Sequence, residues 1–172
     1  MKKVLQFAGL ISLVLAIVAF VLMLATPAIV LTNGNNQYIY KGPVVLFGSK
    51  ETLDLYIVSA TTVTKPAPLA LIAFILVIVA VVIVALGVVL PLLKVNVLAK
   101  IGGVLNLAAL VCFVVAGIFM FCVIPNFFAA NEWNVPDSAA IGAGWLIGGI
   151  LAIAAGAFAI LPAAAAFLAK KK

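Results

Sequence analysis

Residues 71–90 read LIAFILVIVAVVIVALGVVL, twenty positions without one polar side chain. At about 1.5 Å of rise per residue, a helix of that length spans about 30 Å, the thickness of a bilayer's hydrocarbon core. In water such a helix has no solvated face, whereas in lipid it satisfies its own backbone amides and carbonyls. The apolar run around it extends over 68–93 and opens at Pro66 and Pro68, where the fixed φ of proline suits a first helical turn.

Working outward, three further runs of the same kind occur at about 4–31, 101–124 and 139–169. The first follows Lys2 and Lys3 in the manner of a signal peptide, but its length is well beyond the 7–15 apolar residues of a signal core, so it is expected to remain as a span. The last follows Pro136-Asp137-Ser138, where Asp137 or Ser138 is expected to cap the first turn. Pro27 and Pro162 mark expected kinks or helix ends. With 68% hydrophobic and 8% charged residues, a soluble globular domain is excluded. The expected fold class is an all-α membrane protein: one transmembrane domain over 1–172, a four-transmembrane-helix bundle with extracellular loops at 32–67 and 125–138.

All ten basic residues are Lys, and their distribution sets the expected orientation. Lys2, Lys3, Lys94, Lys100, Lys170, Lys171 and Lys172 share one side with no acid among them. Lys41, Lys50 and Lys65 share the other with Glu51, Asp54, Glu132 and Asp137. Lysine-rich short segments stay in the cytoplasm, which places both termini there, in a multi-pass protein of the cell membrane. Lysines in short clusters between apolar runs do not form the continuous basic stripe of a nucleic-acid footprint, so no nucleic-acid partner is expected.

The first external loop carries turn signals at Asn33-Gly34, Gly42-Pro43 and Gly48-Ser49. Strand-like stretches at Gln37–Lys41, Val44–Phe47 and Thr52–Thr64 between them predict a small antiparallel β-sheet capping the bundle. In the second loop, Phe127, Phe128 and Trp133 suit an interfacial aromatic belt.

Chemistry-bearing residues are scarce. There is no His and no Arg, and no Asp, Glu or Lys falls within the spans away from their ends, which argues against a proton relay or an ion pathway. The missing mid-helix carboxylate also sets the chain apart from the proteolipids of rotary ATPases and from small multidrug exporters. Cys112 and Cys122, ten residues apart, fall on different helix faces and form no reactive pair. Glu51 and Asp54 read as solvated charges rather than a metal site. The expectation is a protein that is not an enzyme and has no cofactor or metal.

The polar residues within the runs are Gln6, Ser12, Thr26, Asn96 and Asn106. Asn106 is a candidate interhelical contact or pore-lining group. Ala140, Gly144, Gly148, Ala152 and Gly156 recur every four residues, and Ala8, Ser12 and Ala16 repeat that spacing in the first run. Such stripes let helices approach closely, either between helices one and four of a single bundle or at a seam between copies.

Four spans with cytoplasmic termini, a longer strand-rich first external loop, a tight cytoplasmic turn and a short second external loop together resemble the claudin-type tetraspan arrangement. The claudin signature of a Trp, a Gly-Leu-Trp and two cysteines has no counterpart between Thr32 and Lys65, so no family residue is carried over. The resemblance implies lateral assembly through the external sheet. The expected function is therefore a structural, interacting tetraspan, surrounded by membrane lipid and joined to itself or to a larger membrane-protein complex. The alternative is a pore or channel subunit of a homo-oligomer, lined by Ser12, Asn106, Gly144 and Gly148.

Overall fold

The computed structural model describes residues 2–55, 58–90 and 96–168, with side chains described for 7–50, 62–90 and 97–167. Four helices in it are long and apolar enough to cross a bilayer: α1 (Lys2–Ala25), α3 (Pro68–Val89), α4 (Asn96–Phe121) and α6 (Ala143–Leu168). The 22 residues of α3 reach about 33 Å along the axis. Between and after these lie β1 (Pro27–Asn33), β2 (Asn36–Lys41), α2 (Gly42–Phe47), β3 (Ser49–Leu55), β4 (Val58–Thr64), α5 (Val123–Ala130) and β5 (Ala139–Ile141).

Several expected boundaries are corrected, each for an identifiable reason. The first span ends at Ala25, not near residue 31, because Pro27 supplies no N–H and pushes the residue before it out of the helical region. The β-prone segment that follows becomes strand β1. Val44–Phe47 is not a strand but part of α2, which Pro43 starts. The expected second loop at 125–138 opens instead in a helix, α5. The pyrrolidine of Pro125 would clash with the carbonyl four residues back, so α4 stops at Phe121 and the chain restarts after Cys122. Residues 139–141, expected at the head of the fourth span, are strand β5, and α6 begins only at Ala143. The tight turn expected at Lys94–Lys100 is already helical from Asn96, while 91–95 lie outside the described residues.

In the bundle, α1 and α4 each pack against both α3 and α6, leaving α3 and α6 on a diagonal. Small residues make this approach close. The inward face of α3 is Ala70, Ala73, Val77, Ala80, Val84 and Gly87, all buried. Because lipid tails are as apolar as leucine, a bundle in lipid is held by dispersion across such close contacts rather than by exclusion of water.

Above the bundle, β1 is the centre of a three-stranded antiparallel sheet in the order β2-β1-β5. Gly34, at φ 59°, turns the β1–β2 hairpin, and Asn33 faces Asn36 across it. Leu31 pairs with Tyr38 on one side and Ala139 on the other. Thr52–Thr64, expected as a single alternating stretch, contributes to a separate two-stranded ribbon, β3 against β4, from Ser49 opposite Thr64 to Leu55 opposite Val58.

Candidate functional site

The stripes of small residues meet inside the bundle. Ala8, Ser12 and Ala16 are buried, and the Ser12 hydroxyl donates to the Ala155 carbonyl of α6 over 2.7 Å. Ala152 is fully buried, and a Cβ on Gly148 would lie 2.9 Å from Met120 Cε of α4. A Cβ on Gly156 would lie 3.2 Å from the Leu110 carbonyl of the same helix. Gly144 abuts Thr26, close enough that a Cβ would collide with its hydroxyl. Ala140 departs from the pattern: it sits exposed in β5, outside the helix that was expected to carry it. Thus Ser12, Gly148 and Gly156 touch helices of their own chain, and Gly144 touches Thr26 just beyond α1.

Asn106 lies between α4 and α3, 1% exposed. Its Nδ2 donates to the Gly102 carbonyl one turn back at 2.9 Å, and its Oδ1 is the one buried side-chain oxygen or nitrogen without a hydrogen-bond partner among the described residues. Gly87 makes the fit possible, since a Cβ there would stand 2.6 Å from Nδ2 and 2.9 Å from Oδ1. Gly87→Ala is expected to cost about 1–3 kcal/mol by overpacking. Adding Asn106→Ala should recover most of that loss, and a double-mutant cycle on detergent melting curves would expose the coupling. Additive losses would show that the two residues do not share one slot.

The end of α1 is knotted to the start of α2, to β1 and to the start of α6. Thr26 donates from both its hydroxyl (2.6 Å) and its N–H (3.2 Å) to the Leu22 carbonyl, and its own carbonyl accepts from Gly42 N–H at 3.0 Å. Gly142 N–H donates to the Ala28 carbonyl at 2.9 Å. Trp145, fully buried in the first turn of α6, donates from its indole Nε1 to the Met23 carbonyl at 3.1 Å. The Thr26 and Trp145 donors satisfy the Leu22 and Met23 carbonyls, in the last turn of α1 where a helix leaves carbonyls unpaired.

A second knot joins α5 to the segment entering α3. The Asn131 amide accepts from Lys65 N–H at 2.7 Å and donates to the carbonyls of Lys65 (3.1 Å) and Phe127 (2.9 Å). Asn126 Oδ1 accepts from Leu69 N–H at 2.8 Å, capping the first turn of α3. Sequence reasoning missed both asparagines, because nothing local distinguishes them from loop residues. Phe127 and Phe128 are buried, not displayed to lipid as a belt requires, and they cluster with Trp133 and Tyr40, whose ring centre is 4.9 Å from that of Phe127.

Next to this knot, the Lys65 ammonium meets the Glu132 carboxylate at 2.9 Å in an exposed pair. Lys65 holds the Glu132 carboxyl below its ordinary range by hydrogen bonding and charge, so the pair's contribution is present above the usual carboxylate pKa and is lost as pH falls through the lowered value. Burial pushes the Tyr40 phenol up. Its contribution is present below the ordinary tyrosine pKa and is lost as pH rises through the higher folded one. Asn131→Ala is expected to cost about 1–3 kcal/mol, since it removes three hydrogen bonds, two of them to partly buried backbone groups of Lys65. Glu132→Gln is expected to leave the melting temperature unchanged, because exposed pairs contribute little. A thermal scan of the two variants checks the contrast, and a larger loss from Glu132→Gln would reverse this ranking.

The remaining candidate surface is strand edge. β2 borders its sheet on one side, and β3 and β4 pair only with each other among the described residues. Tyr38 and Ile39 of β2 are 60% and 50% exposed. Glu51 and Asp54, like Gln6 and Asn96, have side chains outside the described residues. No protein-family model matches the chain, and none of the curated proteins is significantly similar to it.

Proposed function

We propose that this tetraspan is a non-enzymatic protein of the cell membrane, with both termini in the cytoplasm, that assembles laterally through its external strands in a claudin-like arrangement. The observation that carries the proposal is the β3–β4 ribbon: two seven-residue strands that, among the described residues, pair only with each other. An isolated two-stranded ribbon is marginally stable in water, and its unpaired edges are templates for a further strand. The open edge of β2, with Tyr38 and Ile39 exposed, is a second surface of the same kind. The small-residue stripe supports this assignment indirectly. It packs α1, α4 and α6 of one chain together, so the stripe itself is not free to receive a second copy. Seven lysines without an acid at one end of the bundle support the orientation. The inward positions of Ser12, Asn106 and Gly148 give the alternative, a pore lined by them between subunits, no supporting surface.

The test is the native mass of the protein extracted from its own membranes in a mild detergent, for the wild type and for a variant with residues 50–63 replaced by a Gly-Ser linker. The expected result is a multimer, or a defined complex with other membrane proteins, that the linker variant dissociates while its four spans remain folded. A lone wild-type monomer would overturn assembly, and an unchanged complex in the linker variant would overturn the ribbon as its contact.

A further inference from the structure

At the end of the bundle opposite the external cap, the outer face of α4 carries a groove of about 310 Å³ lined by Val97, Lys100, Ile101, Val104 and Leu105. These positions follow the i, i+3, i+4, i+7, i+8 spacing of one helix face, turned away from Asn106 and α3. Val97 (66%), Ile101 (44%) and Val104 (57%) are open to the surroundings, and the wall formed by the described residues is hydrocarbon, to which Lys100 contributes its methylenes. Lys100 stands at the fifth residue of α4, one turn in from its start, and Val104 lies a further turn toward the middle of the membrane. A lysine at that depth extends its ammonium toward the headgroups and lays its methylenes along the helix.

Two features select the occupant. The groove is apolar along its length, and a Lys100 ammonium extended toward the headgroups lies beyond its outer end, which is the pattern of an acyl chain below a phosphate. The segments that four crossings put on one side of the membrane are also basic in sequence: they carry Lys2, Lys3, Lys94, Lys100, Lys170, Lys171 and Lys172 and no acid. The positive end of the α4 dipole points the same way. We infer that this groove holds one anionic phospholipid, its acyl chain along Val97, Ile101, Val104 and Leu105 and its phosphate at the Lys100 ammonium. A zwitterionic lipid offers the same chain, but its own ammonium would meet the Lys100 ammonium with no acid among the described lining residues to receive it. The site is independent of the external strands and of any assembly through them.

Native mass spectrometry of the detergent-purified protein, titrated separately with phosphatidylglycerol and phosphatidylcholine, tests the site. The first phosphatidylglycerol is expected to bind several-fold more tightly than phosphatidylcholine. A basic side chain near an anionic surface contributes about 1 kcal/mol, so Lys100→Gln should weaken that binding about fivefold while Lys100→Arg keeps it. Val104→Trp, on an outward face where the fold does not depend on it, should fill the groove and exclude the tight lipid of either class. Equal retention of the two lipids by the wild type would overturn the inference, as would a Lys100→Gln protein that keeps the preference. Displacement of the lipid by millimolar inorganic phosphate would also overturn it, showing a site for the anion rather than for the lipid.

Discussion

Trp145→Ala is expected to lower the unfolding free energy by roughly 3–5 kcal/mol, the range for removing a fully enclosed indole from a packed interior. Trp145 is the largest of the fully buried side chains, and it stands where α6, the end of α1 and the start of α2 converge. The substitution leaves a cavity beside Met23 and also strips the Met23 carbonyl of its indole donor, 3.1 Å away. Trp145→Phe separates the two effects. It keeps most of the volume and loses the donor, so about 1–3 kcal/mol is expected for the stranded carbonyl. Melting curves in detergent, read together with protease resistance of the segment 26–67, would measure both. Equal losses for Phe and Ala would assign the whole effect to the hydrogen bond, and no loss for either would remove Trp145 from the core.

Gly142→Ala is the second large effect, at about 3 kcal/mol or more, beyond the usual overpacking range because the obstacle is main chain. A Cβ on Gly142 would land on the Pro27 carbonyl, and Gly142 cannot retreat, since its N–H is bonded to the Ala28 carbonyl at 2.9 Å. The clash separates β5 from β1 and with it the first turn of α6 from the end of α1. Gly42→Ala is expected to behave alike, its Cβ falling on the Met23 carbonyl. Gly34→Ala is the control. It has open space within 4 Å but a φ of 59°, so it should cost only the roughly 1–2 kcal/mol of a left-handed residue. A Gly142→Ala protein that melts no lower than Gly34→Ala would show that the β1–β5 junction has room the geometry denies it.

The knots that these variants probe were partly legible before folding. Pro27 was readable as a helix end, yet a hydrophobic stretch through Leu31 reads the same whether it continues a span or becomes strand β1. What decided it is the partner: Ile29, Val30 and Leu31 find β2 on one side and β5 on the other. β5 is three residues long and was invisible in sequence, because a strand that short exists only where another strand has an edge to offer. Ala140 was consequently assigned to a helix stripe on spacing alone, although Gly142 behind it is a poor continuation for a helix. Trp145 and Asn131 were missed for a related reason. Their bonds go to Met23 and Lys65, 122 and 66 residues away, and no local pattern records a partner that distant.

The small-residue stripes illustrate the same division from the other side. Their period named the residues that would let helices approach, and Ser12, Ala16, Gly148, Ala152 and Gly156 are indeed at close contacts. Periodicity cannot say which helix arrives, because a groove of small side chains accepts α1, α4 or a second copy equally well by its own geometry. Hydrophobic run length, by contrast, is a property of the chain alone. Twenty apolar residues must span or be buried whatever their neighbours are, so the four helices and the class of protein were determined by the sequence itself. Strand pairing, the carbonyl partners of Trp145 and the inward turn of Phe127 and Phe128 were decided only by the tertiary structure, because each depends on backbone groups that become available when distant segments meet.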